Sequence, residues 1–171
     1  MDKLVLIGFM GAGKSAAGRS LAREFAWKFF DTDTLALVLS GEESINDIFD
    51  KYGEQHFRDL EVRAGTALQQ ETKAIISTGG GFVMNTQAMQ ALKSPNTCVL
   101  YIRVSFEELQ IRLRGNTTRP LFRDVDKARE LYQSRLETYQ NYADLIVDAD
   151  GFTPSEASDK IVTALKEGKF I

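Results

Sequence analysis

Gly8-Phe9-Met10-Gly11-Ala12-Gly13-Lys14-Ser15 decides how this chain reads. It fits the phosphate-binding pattern G-x-x-x-x-G-K-[ST] at every fixed position. Gly13 lets backbone approach phosphate oxygens, and successive N–H groups form an anion nest. The helix that follows adds free N–H groups and the positive end of its dipole. Lys14 can reach β- and γ-phosphates, and the Ser15 hydroxyl can ligate Mg²⁺. The flanks agree. Lys3-Leu4-Val5-Leu6-Ile7 is a short apolar run, and Ser15 to Phe25 is helix-compatible, with Leu21 and Phe25 four apart. Strand, glycine loop and helix in that order are the context the motif requires.

Outward from the loop, apolar runs recur at Leu4–Ile7, Trp27–Phe30, Ala74–Ser77, Cys98–Arg103 and Leu145–Val147, with helix-compatible segments between them. The alternation predicts an α/β fold on a mostly parallel sheet. Continuous rather than alternating apolar character predicts strands covered on both faces. Ser105 with Glu108 and Thr153 with Glu156 read as capping boxes, the second with Pro154 in the first turn. Ser44 with Asp47 is a weaker version, and Gly41 and Gly53 read as helix stops. In such a fold ligands gather at the carboxyl ends of the strands.

The bulk numbers set limits. The chain has 171 residues, 43% of them hydrophobic and 26% charged, with net charge −3 and pI near 5.3. That suits one domain with a proper core. No basic excess asks for a nucleic acid, and no apolar run reaches a membrane span. Strand one at the N-terminus leaves no room for a signal peptide. The single cysteine, Cys98, lies in a strand-like run and reads as a buried thiol. A cytoplasmic location is expected. The only histidine, His56, has no second His or Cys nearby, so neither a metal site nor Ser-His-Asp catalysis is expected there.

Chemistry-bearing residues follow the strands. Asp31-Thr32-Asp33 places two carboxylates at a strand end, either facing a magnesium ion and a hydroxyl or capping a helix that starts near Thr34. Gly79-Gly80-Gly81 costs conformational entropy. Close approach of a ligand to bare backbone explains it better than a tight turn does. Arg112 to Leu121 is polar, carries three arginines with Gly115 and Pro120, and reads either as a flap laid over phosphates or as a solvated loop. Arg58, beside Phe57, and Arg135, spaced by four from Leu131 and Tyr139, stand in apolar company. Each needs an anionic partner, either a protein carboxylate such as Glu61 or Glu137 or a substrate carboxylate.

Together these motifs resemble the shikimate kinase family over nearly the whole chain. The resemblance rests on Gly8–Ser15, Asp31-Thr32-Asp33, Gly53-Glu54-x-x-Phe57-Arg58-x-x-Glu61, Gly79-Gly80-Gly81, Asn116-Thr117-x-Arg119-Pro120-Leu121 and Arg135-x-x-x-Tyr139. It implies a nucleoside-monophosphate-kinase-like three-layer sandwich around a five-stranded parallel sheet. It also implies transfer of the ATP γ-phosphate to the 3-hydroxyl of shikimate, with Mg²⁺. One kinase domain over 1–171 is expected, with a flap at 112–124, substrate-binding helices at 33–62, and a monomeric state. The implied catalytic set is Asp33 as base, Lys14, and Arg119 on the phosphates. Shikimate would meet Asp33, Arg58, Gly80 and Arg135. ATP would meet Gly11, Ala12, Gly13, Lys14, Ser15, Ala16, Arg112 and Arg119, with Arg112 stacked on adenine. Mg²⁺ would sit beside Ser15, with Asp31 acting through water. In the loop Asp148–Pro154, Gly151 and Phe152 stand where some members carry arginine. The rivals are a gluconate-type sugar-acid kinase and a non-catalytic nucleotide-binding homologue. The set Asp33, Arg58, Gly80 and Arg135 argues against the first, and retention of Lys14 and Asp33 against the second.

Overall fold

Leu4 to Ile7 are wholly buried, and around them the sheet is built. The structure, a computed structural model, describes residues 1–114 and 124–171. Five parallel strands run β1 Lys3–Ile7, β2 Lys28–Asp31, β3 Ala74–Ser77, β4 Thr97–Arg103 and β5 Leu145–Asp148, in the order β2-β3-β1-β4-β5. The expected α/β sheet is present, with each run shifted by a residue or two at most. The helices are α1 Lys14–Phe25, α2 Thr32–Ser40, α3 Ile45–Ala67, α4 Thr86–Leu92, α5 Phe106–Leu113, α6 Val125–Tyr142 and α7 Pro154–Glu167, with a short 3-10 turn at Phe82–Met84. Each parallel pair is bridged by at least one of them, as parallel connections require. The chain leaves β1 toward β2 and β4 toward β5, so connections diverge at the β1–β4 pair, where the loop after β1 opens.

Coverage on both faces holds for the centre only. β1 and β3 are buried throughout and β4 nearly so, whereas edge strands β2 and β5 are partly exposed. An edge strand has one neighbour, so one flank is left to solvent whatever its composition. The thiol of Cys98 lies in the core, where burial pushes its pKa up to about 12.

The helix ends separate local from non-local control. Thr153 and Glu156 form the full reciprocal capping box of α7. At α5 only half of the expected box forms. Ser105 Oγ accepts from Glu108 N, but the Glu108 carboxylate turns to Arg112, and Ser105 N donates instead to Asp150 Oδ1 at 2.7 Å. Gly41 ends α2 in the left-handed region. Gly53 ends a helical run, as expected. With φ 81° it kinks α3, and the helix resumes at once. The second half of α3 thereby carries Arg58 and Glu61 at a new angle.

Register fixes the carboxyl ends of β2 and β3. Asp31 pairs with Ser77 across the ladder, and Leu6 of β1 pairs with Ser77 on the other side. Everything that follows these strands starts from one rim.

Candidate active site

The loop after β1 holds its glycine-dependent shape at Gly13. Its φ of 89° favours glycine, and a Cβ there would meet nothing within 4 Å. Gly13 is the N-cap of α1 and makes no side-chain cap, so the first amides of α1 are left to the ligand side. Lys14 is nearly buried, and its Nζ donates to Gly8 O at 2.8 Å and Phe9 O at 2.9 Å. The ammonium is thus held within the loop it serves.

Ser15, Asp31 and Ser77 meet beside it. Ser15 Oγ donates to Asp31 Oδ2 at 2.7 Å and lies 3.0 Å from Ser77 Oγ. The helix-cap reading of Asp31 is realised by one of its two oxygens. Oδ1 caps α2 by accepting from Asp33 N and Thr34 N, and Oδ2 faces Ser15. Ser77 was not anticipated, because only the β2–β3 register brings it to Ser15. Hydroxyl and carboxylate oxygens are what Mg²⁺ takes beside phosphate oxygens, so the donor set fits that ion. Among the described residues no group of three His, Cys, Asp or Glu forms a metal cluster.

Two clefts of about 410 Å³ each share Gly11 and Gly13. One is walled by Ala12, Arg112, Phe152 and Pro154, the expected base side. Arg112 is fixed there by Glu108 at 2.8 Å and by the carbonyls of Ala149 and Phe152. Phe152 stands in the wall with Lys160 Nζ 3.8 Å from its ring centroid, so this loop presents an aromatic face where arginine was absent. The other cleft gathers Lys14, Ser15, Ala16, Asp31, Asp33 and Gly80. Arg19 lines it too, one helical turn beyond Ser15, a position that the i, i+4 rule would have flagged.

Gly79 and Gly80 line this second cleft, and both are also closely packed on their Cα side. A Cβ on Gly79 would sit 2.3 Å from Asp33 Oδ1, and one on Gly80 would sit 3.1 Å from Met10 N. Protein atoms, rather than open space, occupy those positions, so at Gly79 and Gly80 bare backbone lets two loops and a carboxylate pack together. The hydroxyl of Tyr139 donates to Gly80 O, and burial pushes its pKa up to about 12, which keeps it a donor. Gly81 faces two arginines. Its Cβ would lie 3.2 Å from Arg135 Nη2 and 3.3 Å from Arg58 Nη1. Two guanidinium groups from different helices therefore converge on one point.

Their pairing is unequal. Arg58 takes the protein partner allowed for, with Nη1 on Glu61 Oε2 at 2.9 Å and Nη2 on Glu54 Oε1 at 3.1 Å. Burial works against its charge, but the hydrogen bonds it donates to Glu61 and Glu54, with their charges, prevail and hold its pKa above the ordinary value. Arg135 makes no ion pair among the described residues, with Glu137 or otherwise, and lies 5.7 Å from the Phe9 ring centroid. Arg119 and most of the expected flap, 115–123, lie outside the described residues.

A phosphate loop, a hydroxyl and carboxylate beside its lysine, and two arginines that converge near a third strand end are the arrangement of a small-molecule kinase. The Shikimate kinase family model matches residues 10–166. The shikimate kinase of Enterococcus faecalis is 39% identical over 171 residues, covering 98% of this chain and all of that one. Shikimate kinase from Acinetobacter baumannii in complex with shikimate superposes with TM-score 0.90 at 27% identity, over 99% of this chain and 95% of that one. That from Aquifex aeolicus gives 0.84 at 33% identity, over 98% of each chain. The chain belongs to the shikimate kinase family, ATP- and Mg²⁺-dependent enzymes that phosphorylate the 3-hydroxyl of shikimate.

Proposed function

We propose that the two clefts form one shikimate kinase site, the first taking the base of ATP and the second its phosphates beside the acceptor, with roles carried by the residues named above. The observation that supports this most is the meeting of Arg58 and Arg135 at Gly81, on the same rim as Asp33 and the phosphate loop. Two planar guanidiniums suit a carboxylate, which each can bind in a fork. Asp33 then faces the ring hydroxyl and accepts its proton as the oxygen bonds to the γ-phosphorus and the β–γ bridging oxygen leaves. Lys14 and Arg119 offset charge on the phosphates, and the amides of Gly11 to Ala16 cradle them. Ser15 and Asp31 would hold Mg²⁺, Asp31 through water, and the ion would supply positive charge against the phosphates. Because phosphoryl transfer passes through a loose transition state, positioning and charge carry most of the catalysis. Residues 1–171 act as one cytoplasmic, monomeric kinase domain, with 112–124 as flap and 33–62 bearing acceptor contacts. Among the described residues no helix is long and apolar enough to cross a membrane.

A coupled assay with shikimate, gluconate or no acceptor tests the reading. ADP release that depends on shikimate alone is expected. Equal release with gluconate sinks the acceptor assignment, and equal release without acceptor sinks the kinase assignment.

Arg135→Ala isolates the grip. The KM for shikimate should rise about tenfold or more, the size of a hydrogen bond to a charged group, with the KM for ATP little changed. Equal rises for both substrates would make Arg135 structural.

A further inference from the structure

Asn85 follows the turn Phe82–Met84 and is the N-cap of α4. Capping α4 uses only its Oδ1, which accepts from Ala88 N at 3.3 Å. Serine, threonine or aspartate would do that as well. Asparagine alone among them adds an amide nitrogen with two hydrogens. Nδ2 donates one to Arg58 O at 2.9 Å and the other to Glu61 Oε2 at 3.1 Å. The amide orientation is determined by its neighbours, since both partners of the nitrogen are acceptors and the partner of the oxygen is a donor.

Glu61 is 2% exposed, and its Oε2 accepts from both Asn85 Nδ2 and Arg58 Nη1. A buried carboxylate keeps one position only while its hydrogen bonds do. The other partner of Arg58, Glu54, is 70% exposed, and an exposed pair of that kind constrains little. The Glu61 contact is therefore what fixes the guanidinium at Gly81, and Asn85 is what fixes Glu61. The same residue donates its backbone N–H to Phe82 O at 3.0 Å, closing the turn that follows the glycines. It ties the glycine wall of the second cleft to the helix that carries Arg58.

We propose that Asn85 is a positioning residue for the acceptor carboxylate, acting through Glu61 on Arg58, a role that rests on the reading of Arg58 above. Asn85→Ser keeps a capping oxygen and removes both amide donations. The KM for shikimate should rise about tenfold, the size of one hydrogen bond to a charged group, while kcat at saturation and the KM for ATP stay near those of the parent. Asn85→Asp keeps the cap but sets a second carboxylate against Glu61, so its rise should be larger. In a Glu61→Gln background, Asn85→Ser should add less than twofold, because the two act in one chain of contacts. A shikimate KM within twofold of the parent in Asn85→Ser overturns the proposal. So does a parallel rise in both KM values with a fall in Tm, which is the signature of a general structural role rather than of positioning Arg58. Arg58→Lys is measured beside them. If it leaves the shikimate KM unchanged, the reading of Arg58 fails and the role of Asn85 goes with it. If it raises that KM while Asn85→Ser does not, the role of Asn85 alone fails.

Discussion

Asp33→Asn should lower kcat by about 10³-fold while the protein still folds and still binds Mg-ATP, within the range for loss of a positioned proton acceptor. The packing of Asp33 is the reason to choose asparagine over alanine. The carboxylate rests against the peptide of Gly79, where a Cβ would come within 2.3 Å of Oδ1. An amide of the same shape keeps the place of the residue in the first turn of α2, and removes the negative charge and with it the ability to take a proton. Alanine would also empty the rim of the cleft and mix two effects. Steady-state kinetics with shikimate, together with Tm measured with and without Mg-ATP, check it. If kcat stays within threefold of the parent, Asp33 only orients the hydroxyl, and the proton leaves to solvent after transfer, as a loose transition state allows.

What the sequence disclosed and what it hid divide along locality. The phosphate loop, the strand runs and the α7 capping box are each written in fewer than a dozen consecutive residues, and the structure has them all. Ser77 escaped notice because its partner Ser15 is 62 positions away and is reached only through the ladder that pairs Asp31 with Ser77. Asn85 escaped for the same reason, since its partners lie 24 and 27 positions back in the chain. Where local reading misjudged, a distant group had won. The carboxylate of Asp150 displaced Glu108 from the Ser105 cap. Gly53 was legible as a break, but nothing nearby says that the helix resumes. Burial depends on a strand's place in the sheet, and runs with similar composition became central β3 and edge β5.

Lys14→Met should reduce kcat/KM for ATP by 10³-fold or more, on the scale of removing a cation from the transferring phosphate. Its fold cost should be small, and the reason is a cancellation. Methionine forfeits the two bonds from Nζ to Gly8 O and Phe9 O but also relieves the burial of a charge. A net change of about 1 kcal/mol moves Tm by about 2–4 °C in a chain of this size. The decisive readout is ligand-induced stabilisation, which needs no turnover. Mg-ATP at about 100 times its Kd adds roughly 2.7 kcal/mol to the parent, a Tm rise of about 5–10 °C. Lys14→Met should lose most of that rise, whereas Asp33→Asn should keep it, because one residue belongs to the donor half of the site and the other to the acceptor half. If Lys14→Met keeps the full rise and loses only kcat, the lysine acts on the transition state without holding the ground-state phosphates. If it keeps both, the two carbonyl contacts are the whole of its role, and the charge on the phosphates must be met by Arg19 or Arg119.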